Sequence, residues 1–208
     1  MDWQVFPSQP LFSSATITFK YDIHDKLSEF FDTLMEYNRK INLVSRETSK
    51  EDLVRMAADC LVPFEIMTPR TGKIFDIGSG GGFPGIIIML AFPGISGVLI
   101  ERTEKKAAFL RMIARQFELP ADILTADFIE AAGALSSNSF DFGFLKLVKP
   151  DRKILREAIN LLKPGGKFVY YHDLGSDNIA SPSKISCRYL NYYLDDSKQL
   201  RTITILSK

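Results

Sequence analysis

The segment from Asp76 to Gly85 has the residue types best suited to binding a ligand. An apolar run ends in Asp76, and four glycines occupy positions 78 to 82. Glycine lets a backbone adopt positive φ and approach a ligand without a Cβ in the way. The apolar run resumes at Ile86 behind Pro84, a residue that suits the first turn of a helix. The segment therefore predicts a strand, a tight turn with bare amides, and a helix N-terminus that faces something polar.

Two cofactor fingerprints fit this glycine turn. Gly80, Gly82 and Gly85 have the spacing of the dinucleotide motif, with Glu101 near the place of a ribose-binding acid. Asp76 and the glycines at 78, 80 and 82 fit equally well the acid-then-glycines turn of S-adenosylmethionine-dependent methyltransferases. A carboxylate at the strand tip suits a cationic methionine moiety and is unhelpful beside a pyrophosphate. The sulfonium cofactor is therefore favoured, and the chain also lacks room for the substrate domain of a dehydrogenase.

Acidic residues end the next two predicted strands. A purely structural interpretation treats Asp76 and Glu101 as solvated strand ends, but both flank the crevice where open α/β sheets bind ligands. Glu101 is predicted to accept hydrogen bonds from two ribose hydroxyls, which one carboxylate can do with its two oxygens. Asp127 is predicted to receive the adenine amino group, with a helix N-cap as the alternative.

The periodicity of the chain predicts a helical extension followed by an α/β core. Residues 1–70 contain an irregular arm with a short strand at 15–19, a helix from His24 to Val44, and a second helix that begins at Ser49 with Asp52 as a capping partner. In residues 71–208 five strands alternate with helices, which indicates a parallel sheet. Two final segments, 187–193 and 201–206, are predicted to pair as an antiparallel hairpin. The whole is a single α/β domain with a Rossmann-like, mostly parallel, seven-stranded sheet.

Composition bounds the environment and the partners. The 208 residues have a net charge of +1, so a polyanion must be met by a local basic patch. Cys60 and Cys187 have no metal-ligand spacing and predict free thiols in a reducing compartment, by default the cytoplasm. No signal peptide or membrane-spanning run is apparent, and we predict no metal site.

Three segments of the chain have a combination of residues that is found in one known family. They are Asp76 to Ile86 with its Gly-Phe-Pro-Gly-Ile ending, Tyr37 to Val44, and Glu101 to Leu110 with its basic pair before Phe-Leu. Together with Asp59, they resemble the small-subunit ribosomal RNA guanine-N7 methyltransferases, also called glucose-inhibited division protein B. The resemblance extends from about Lys26 to Leu206.

This resemblance implies a class I S-adenosylmethionine-dependent methyltransferase that modifies N7 of a guanine in small-subunit (16S) ribosomal RNA. The nitrogen carries an exposed lone pair, so the reaction needs positioning rather than a strong general base. The implied partner is ribosomal RNA or the 30S particle, and a monomer is expected. The cofactor-binding residues implied at matching positions are Asp76, Gly78, Ser79, Gly80, Gly82, Phe83, Pro84, Glu101, Arg102, Ala126 and Asp127.

The substrate side departs from the family pattern. Met56 replaces a histidine, Cys60 a serine, Lys146 the arginine of a Ser-Arg-Ala segment, and His172 lies where the family has Lys-Gly. A lysine keeps the charge of an arginine and loses its planar two-pronged donor. These departures leave three alternatives open, namely another substrate on the same fold, a ribosome-associated relative without catalysis, and, more distantly, a nicotinamide-dependent reductase.

Lys146 and Asn42 are the predicted catalytic residues. Lys146, at the tip of the fourth predicted strand, is expected to hold the RNA or the flipped guanine, and its alternative is a solvated strand end. Asn42 lies at the end of the extension helix, where a capped helix terminus is the alternative. Two basic clusters are available for phosphates. The favoured one contains Lys146, Lys149, Arg152, Lys153 and Arg156, and the other contains Lys105, Lys106, Arg111 and Arg115.

Overall fold

The computed structural model describes residues 11–67, 71–175, 185–195 and 199–208. Helices alternate with strands through its central part, as the periodicity predicts. The helices are α1 (Ser14–Lys20), α2 (His24–Asn38), α3 (Lys50–Leu61), α4 (Gly85–Ala91), α5 (Glu104–Gln116), α6 (Phe128–Ala134) and α7 (Arg152–Leu161), with a 3-10 turn at Val62–Glu65. The strands are β1 (Leu11–Phe12), β2 (Thr71–Ile77), β3 (Gly94–Ile100), β4 (Ala121–Leu124), β5 (Phe140–Leu145), β6 (Leu162–Tyr170), β7 (Ser186–Leu194) and β8 (Arg201–Ser207).

All described strands belong to one sheet, in the order β1-β7-β8-β6-β5-β2-β3-β4. Strands β2 to β6 run parallel, and β8 lies antiparallel between β6 and β7. The predicted parallel sheet with a terminal antiparallel hairpin is confirmed. A two-residue strand, β1, pairs with β7 and adds an eighth strand at the edge.

The strand predicted at residues 15–19 is wrong, because those residues lie in α1. Ile17 and Tyr21, four positions apart, are both buried, so helical spacing rather than alternation describes this segment. The Thr18 hydroxyl donates to the Ser14 carbonyl oxygen at 3.1 Å, a bond that a β-branched residue makes inside a helix. The sheet contact is made just before it, by β1.

The order in which the chain adds strands to the sheet reverses between the adjacent parallel strands β2 and β5. From β2 the chain continues outward to β3 and β4, then returns to place β5 on the other side of β2. Such a reversal opens a crevice at the carboxyl ends of the two strands, where α/β proteins bind their ligands. The glycine turn after β2 and Lys146 after β5 are therefore neighbours.

Helices α1 to α3 pack on the core through buried apolar side chains that are continuous with those of α4 and the sheet. Phe30 of α2 contacts Phe83 of the glycine turn, with 5.9 Å between ring centroids. The predicted capping box at the start of α3 is confirmed, because the Ser49 hydroxyl accepts from the Asp52 amide and the Asp52 carboxylate from the Ser49 amide. No helix in the described ranges is both long and apolar enough to cross a bilayer.

Helix α2 ends at Asn38 and not at Val44 as predicted. The Asn38 side-chain oxygen accepts from the amides of Leu43 at 2.8 Å and Val44 at 3.1 Å. These bonds turn the chain back on the helix end, because an asparagine side chain competes with the backbone for hydrogen bonds. The apolar spacing of residues 39–44 comes from a packed loop, in which Leu43 is buried.

Candidate active site

The glycine turn leaves β2 with three residues in the left-handed region. Gly78 has φ of 71°, Gly80 of 52° and Gly82 of 97°, values that side chains rarely adopt. A Cβ added to Gly78 or Gly80 would come no closer than 3.8 or 3.7 Å to another residue. Gly78 is exposed and Gly80 is half-buried, and a Cβ on either would make only an ordinary contact, so a ligand can approach the backbone here.

Most amides of the turn are already bonded within the protein, contrary to the prediction that they lie bare. Gly78 and Ser79 donate to the Ile100 carbonyl oxygen at 2.8 and 3.1 Å, and Gly82 donates to that of Ser79 at 2.7 Å. Gly80 donates to the Glu101 carboxylate at 3.0 Å. The turn is therefore pinned to the end of β3, and it offers a shaped backbone surface rather than a nest of donors for phosphate.

Asp76 lies beneath the turn and is fully buried. Its Oδ2 atom accepts from the Gly85 amide, the first of α4, at 3.1 Å, while Oδ1 is buried without a hydrogen-bond partner. Burial is the main cause that raises the pKa of Asp76 to about 7, and nearby Glu101 adds to it. A pyrophosphate at this helix start would meet a carboxyl group in the place where dinucleotide folds leave free amides, so the geometry favours the cationic cofactor.

Glu101 joins the turn to the end of β3. It is 6% exposed, and besides the Gly80 amide it accepts from the Thr103 amide at 2.8 Å through its other oxygen. Arg102 beside it is exposed. Since each carboxylate oxygen can accept more than one hydrogen bond, Glu101 retains capacity for ribose hydroxyls while holding the turn.

Asp127 caps α6, the alternative that the sequence left open. Its Oδ1 accepts from the Ile129 amide at 2.9 Å, and the side chain is exposed. Ala126 before it is half-buried against the apolar side chains that α6 covers. An exposed N-cap with acceptor capacity does not conflict with a contact to adenine, so the cofactor role of Asp127 stays a prediction.

Ser79, Phe83 and Pro84 support the turn from below. The Ser79 hydroxyl donates to the Asp76 carbonyl oxygen at 3.2 Å, and Ser79 is 1% exposed. Phe83 is buried against α2, and Pro84 immediately precedes α4. The structure thus gives these three residues packing and capping contacts, and their contact with a cofactor remains a prediction.

Asn42 is exposed on the loop that follows α2. This loop lies against the glycine turn, because a Cβ on Gly81 would come within 3.2 Å of the Leu43 carbonyl oxygen. Asn42 is therefore adjacent in the chain to a residue that contacts the glycine turn, and its catalytic role stays a prediction. Asn38, in contrast, is 6% exposed and serves to shape the loop.

Lys146 is buried, and its ammonium group is bound by another residue instead of being free in the crevice. It is 8% exposed, and its ammonium forms an ion pair with Asp59 of α3, which is 5% exposed. The Tyr192 hydroxyl donates to Asp59, and Arg201 donates to it at 3.1 Å. The ring of Tyr171 lies 4.4 Å from the Lys146 Nζ atom. We call Asp59, Lys146, Tyr171, Tyr192 and Arg201 the Asp59 cluster.

The neighbours of Asp59 keep its carboxyl group ionised although it is buried. Burial alone raises the pKa of Asp59, but Lys146 and Arg201, together with hydrogen bonds from Lys146 and Tyr192, outweigh it, and the net pKa lies below its ordinary value. Burial also raises the pKa of the Cys60 thiol to about 12. Asp59 therefore remains an anion that fixes Lys146 in place, whereas Cys60 is an inert thiol.

Of the residues around Lys146, only Asp59 was expected from the sequence, through the family resemblance. Tyr171, Tyr192 and Arg201 were not predicted to lie near the site. Their spacing from Lys146 carries no local signal, since Arg201 and Asp59 are 142 positions apart. His172 is exposed, and its ring nitrogen bonds the amide of the next residue at 2.8 Å.

Four residues of the favoured basic cluster are exposed, as a phosphate-binding patch requires, whereas Lys146 is buried. Lys149, Arg152 and Lys153 take no part in the ion pairs found among the described residues. Arg156 pairs with its neighbour Glu157 at 2.9 Å. On α5, Arg111 pairs with Glu104 at 3.0 Å, which agrees with a solvated helix face.

The partly exposed glycine turn lies over a buried carboxyl group with an unpartnered oxygen and beside a second acid at the end of β3, an arrangement that fits a cationic nucleoside cofactor. Set at the switch point of this sheet, it defines a class I methyltransferase that uses S-adenosyl-L-methionine. Solved structures share the fold. An O-methyltransferase from Bacillus cereus in complex with SAH gives a TM-score of 0.63 at 19% identity, covering 93% of this chain and 97% of the other. The O-methyltransferase TomG from Streptomyces achromogenes in complex with SAM also gives 0.63, at 17% identity, covering 86% and 89%.

The model of the family described as rRNA small subunit methyltransferase G matches residues 23–191, and the chain belongs to this family. Two relatives carry the name ribosomal RNA small subunit methyltransferase G. The one from Gluconobacter oxydans is 38% identical over 149 residues, covering 72% of this chain and 74% of the relative. The one from Mesoplasma florum is 28% identical over 200 residues, covering 96% and 82%. The family predicted from the glycine turn is confirmed.

Proposed function

We propose that the protein transfers a methyl group from S-adenosyl-L-methionine to N7 of a guanine in small-subunit (16S) ribosomal RNA. The observation that carries the proposal is the family match over residues 23–191, which spans both the glycine turn and the strand tips on the substrate side. The geometry of Asp76 at the start of α4 supports the same cofactor independently. The enzyme needs only to hold guanine N7 in line with the methyl group, because this nitrogen already has an exposed lone pair.

On the cofactor side, the bound sulfonium supplies an electrophilic methyl group. Gly78 and Gly80 would present backbone to the cofactor, and Glu101 would accept hydrogen bonds from its ribose hydroxyls. When Asp76 is ionised, its unpartnered Oδ1 would place negative potential beneath the turn and so stabilise a cation there. Because Glu101 also holds the Gly80 amide, cofactor contacts and turn geometry depend on the same carboxylate.

On the substrate side, Lys146 and Asn42 hold the guanine. Lys146 is fixed by Asp59 and by the Tyr171 ring, so its ammonium has a defined direction before substrate arrives. Asn42, exposed beside the glycine turn, has an amide that can both donate and accept along a base edge. Prior fixation of such groups lowers the entropy lost in reaching the reactive geometry, an effect worth several kcal/mol in favourable cases.

We further propose that the substrate is RNA in the assembled 30S particle, that the protein acts as a monomer, and that it works in the cytoplasm. The net charge of +1 gives a weak overall attraction to RNA, and a structured particle adds contacts that free RNA lacks. The two free cysteines, one of them buried, agree with a reducing compartment.

Methyl transfer can be measured with tritiated S-adenosyl-L-methionine and three acceptors, namely protein-free 16S rRNA, 30S particles and transfer RNA. The expected result is incorporation into the small-subunit acceptors only, at one guanine that becomes sensitive to borohydride reduction and aniline cleavage. A Glu101→Gln variant is the matched control, because it keeps the size of the side chain and one acceptor oxygen for the turn amides, and it weakens the acceptance of the ribose hydroxyls. Label in transfer RNA alone, or at a position other than N7, would contradict the proposal.

A cofactor-binding relative without catalysis is the second candidate, and the buried position of Lys146 is the observation that favours it. A lysine held by Asp59 at 8% exposure offers less to a substrate than a free strand-end cation. Calorimetry with S-adenosylhomocysteine separates the candidates when combined with the transfer assay. Tight binding with no transfer to any acceptor identifies the catalytically silent alternative.

A further inference from the structure

The loop between β5 and α7 carries two large apolar side chains that are exposed to solvent. Leu147 is 88% exposed and Val148 is 45% exposed. Within the described ranges the other exposed large apolar residues are Leu11 and Leu200, both at 65% or less. Leu147 also has φ of 66°, a conformation that is uncommon for residues other than glycine and asparagine. Strained backbone of this kind concentrates at functional sites.

Both ends of this loop are fixed. On one side Lys146 is buried in its ion pair with Asp59. On the other, Pro150 is buried, and Asp151 caps α7 by accepting from the Ile154 amide at 2.8 Å. The exposed leucine is therefore held on a rigid support rather than on a long flexible segment.

The loop contacts the glycine turn. A Cβ added to Gly78 would lie 3.8 Å from a Val148 methyl group. Leu147, the residue before Val148, therefore lies beside the proposed cofactor site, and its side chain is exposed to solvent. Exposed Lys149, Arg152 and Lys153 follow it within six positions, and their charge is complementary to RNA phosphates.

We propose that Leu147 is an apolar wedge that packs against the ribosomal RNA bases next to the target guanine and helps to keep that guanine out of the base stack. Enzymes that act on a base move it out of the stack, and apolar side chains inserted at a base step are a common means of doing so. The proposal rests on the proposed function and adds a residue to it. The basic residues bind the backbone on either side, and Leu147 makes the apolar contact between them.

Leu147→Asn and Leu147→Met test the wedge. Asparagine tolerates positive φ, so it preserves the loop and the melting temperature while it removes the apolar surface. Methionine keeps the apolar surface. We expect Leu147→Asn to lower kcat/KM for the RNA acceptor by at least about fivefold, because leucine buries apolar surface against the base and asparagine does not. S-adenosylhomocysteine affinity stays unchanged, and Leu147→Met retains more than half of the activity.

Leu11→Asn is the matched control, because Leu11 is exposed on β1 at the far edge of the sheet, with β7, β8 and β6 between it and β5. An active wild-type protein with Leu147→Asn activity within twofold of it would overturn the wedge and leave the proposed function intact. A loss of cofactor affinity or melting temperature in Leu147→Asn would also overturn it, because the leucine would then be structural. A wild-type protein that methylates no ribosomal RNA removes both proposals.

A photo-cross-linking side chain identifies what Leu147 contacts. With p-benzoylphenylalanine in place of Leu147 and 30S particles as the probe, we expect cross-links to ribosomal RNA within a few nucleotides of the methylated guanine. Primer extension locates them. Cross-links to a ribosomal protein instead would overturn the base contact in favour of a protein docking surface.

Discussion

The glycine turn and the Asp59 cluster lie close together at the carboxyl ends of β2 and β5. They differ in how far apart in the sequence their contacting residues are. The turn is pinned by contacts between Asp76 and Gly85 and between Gly80 and Glu101, separated by 9 and 21 positions. The cluster joins Asp59 to Lys146 across 87 positions and to Arg201 across 142. A locally built site can tolerate changes elsewhere in the chain, whereas the cluster couples α3, β5 and the terminal hairpin.

The largest effect is expected from Asp59→Ala. Removing this carboxylate leaves the Lys146 ammonium buried without its partner, and breaking a buried pair from one side costs about 3–5 kcal/mol. Urea denaturation measures the free energy of unfolding. Asp32→Ala is the control, because the Asp32 pair with Lys50 is largely exposed and such pairs contribute about 1 kcal/mol or less. Similar losses in both variants would mean that the Asp59 cluster is no more than a surface ion pair.

Two glycine substitutions are expected to lower stability for different reasons, overpacking at Gly85 and backbone strain at Gly80. A Cβ at Gly85 would lie 2.4 Å from a buried Leu99 methyl group and 2.8 Å from Asp76, so Gly85→Ala should lower stability by about 1–3 kcal/mol through overpacking. A Cβ at Gly80 would make only an ordinary contact, but φ is positive there, so Gly80→Ala costs about 1–2 kcal/mol in backbone strain. Thermal unfolding gives the stabilities. A loss below about 1 kcal/mol in Gly85→Ala would contradict the overpacking and would mean that the packing of Leu99 and Asp76 against Gly85 is not tight.

The pH dependence of Asp76 gives a smaller effect with a defined sign. Its pKa of about 7 lies above the ordinary 3.8, so the unfolded state loses its proton first and stability falls as pH rises from about 4 to 7. Cofactor affinity changes in the opposite direction, because the carboxylate that forms near pH 7 attracts a cation, by up to about tenfold between pH 6 and 8. Calorimetry with S-adenosyl-L-methionine follows the affinity. Asp76→Asn should flatten both profiles, and an unchanged slope in this variant would assign the titration to another group.

The smallest effect is expected from Lys149→Ala. An exposed lysine that contacts one phosphate contributes about one unit to the slope of log affinity against log salt concentration. Filter binding of 16S rRNA at several salt concentrations measures this slope. Lys26→Ala, an exposed lysine at the start of α2, should leave it unchanged. Equal slopes in all three proteins would remove Lys149 from the RNA surface.

Local rules predicted the parts of the molecule whose contacts are local. The strand, turn and helix around Asp76 follow from glycine and proline spacing, and the Ser49 capping box follows from the preferences of a single helix turn. The end of α2 was missed because the Asn38 side chain bends the following loop, a contact that apolar periodicity does not report. Likewise, bare amides were predicted in the turn because the Ile100 carbonyl oxygen, which takes two of them, belongs to another strand.

The environment of Lys146 was the least predictable. A lysine at a strand end is normally solvated, and three of its four companions in the Asp59 cluster come from β7, β8 or the end of β6, where the sequence shows no pattern that points back to α3. Lys146 and Asn42 as substrate contacts therefore remain predictions. The structure adds the reason why one of them is held rigidly and the other is exposed.

The Asp59 cluster also constrains the order in which the chain can reach its final state. Asp59 is synthesised early, Lys146 much later, and Tyr192 and Arg201 close to the end of the 208 residues. Until the terminal hairpin is made, the buried carboxylate of α3 lacks two of its hydrogen-bond donors. The polar contacts of α3 on the substrate side are therefore complete only when the last strand joins the sheet.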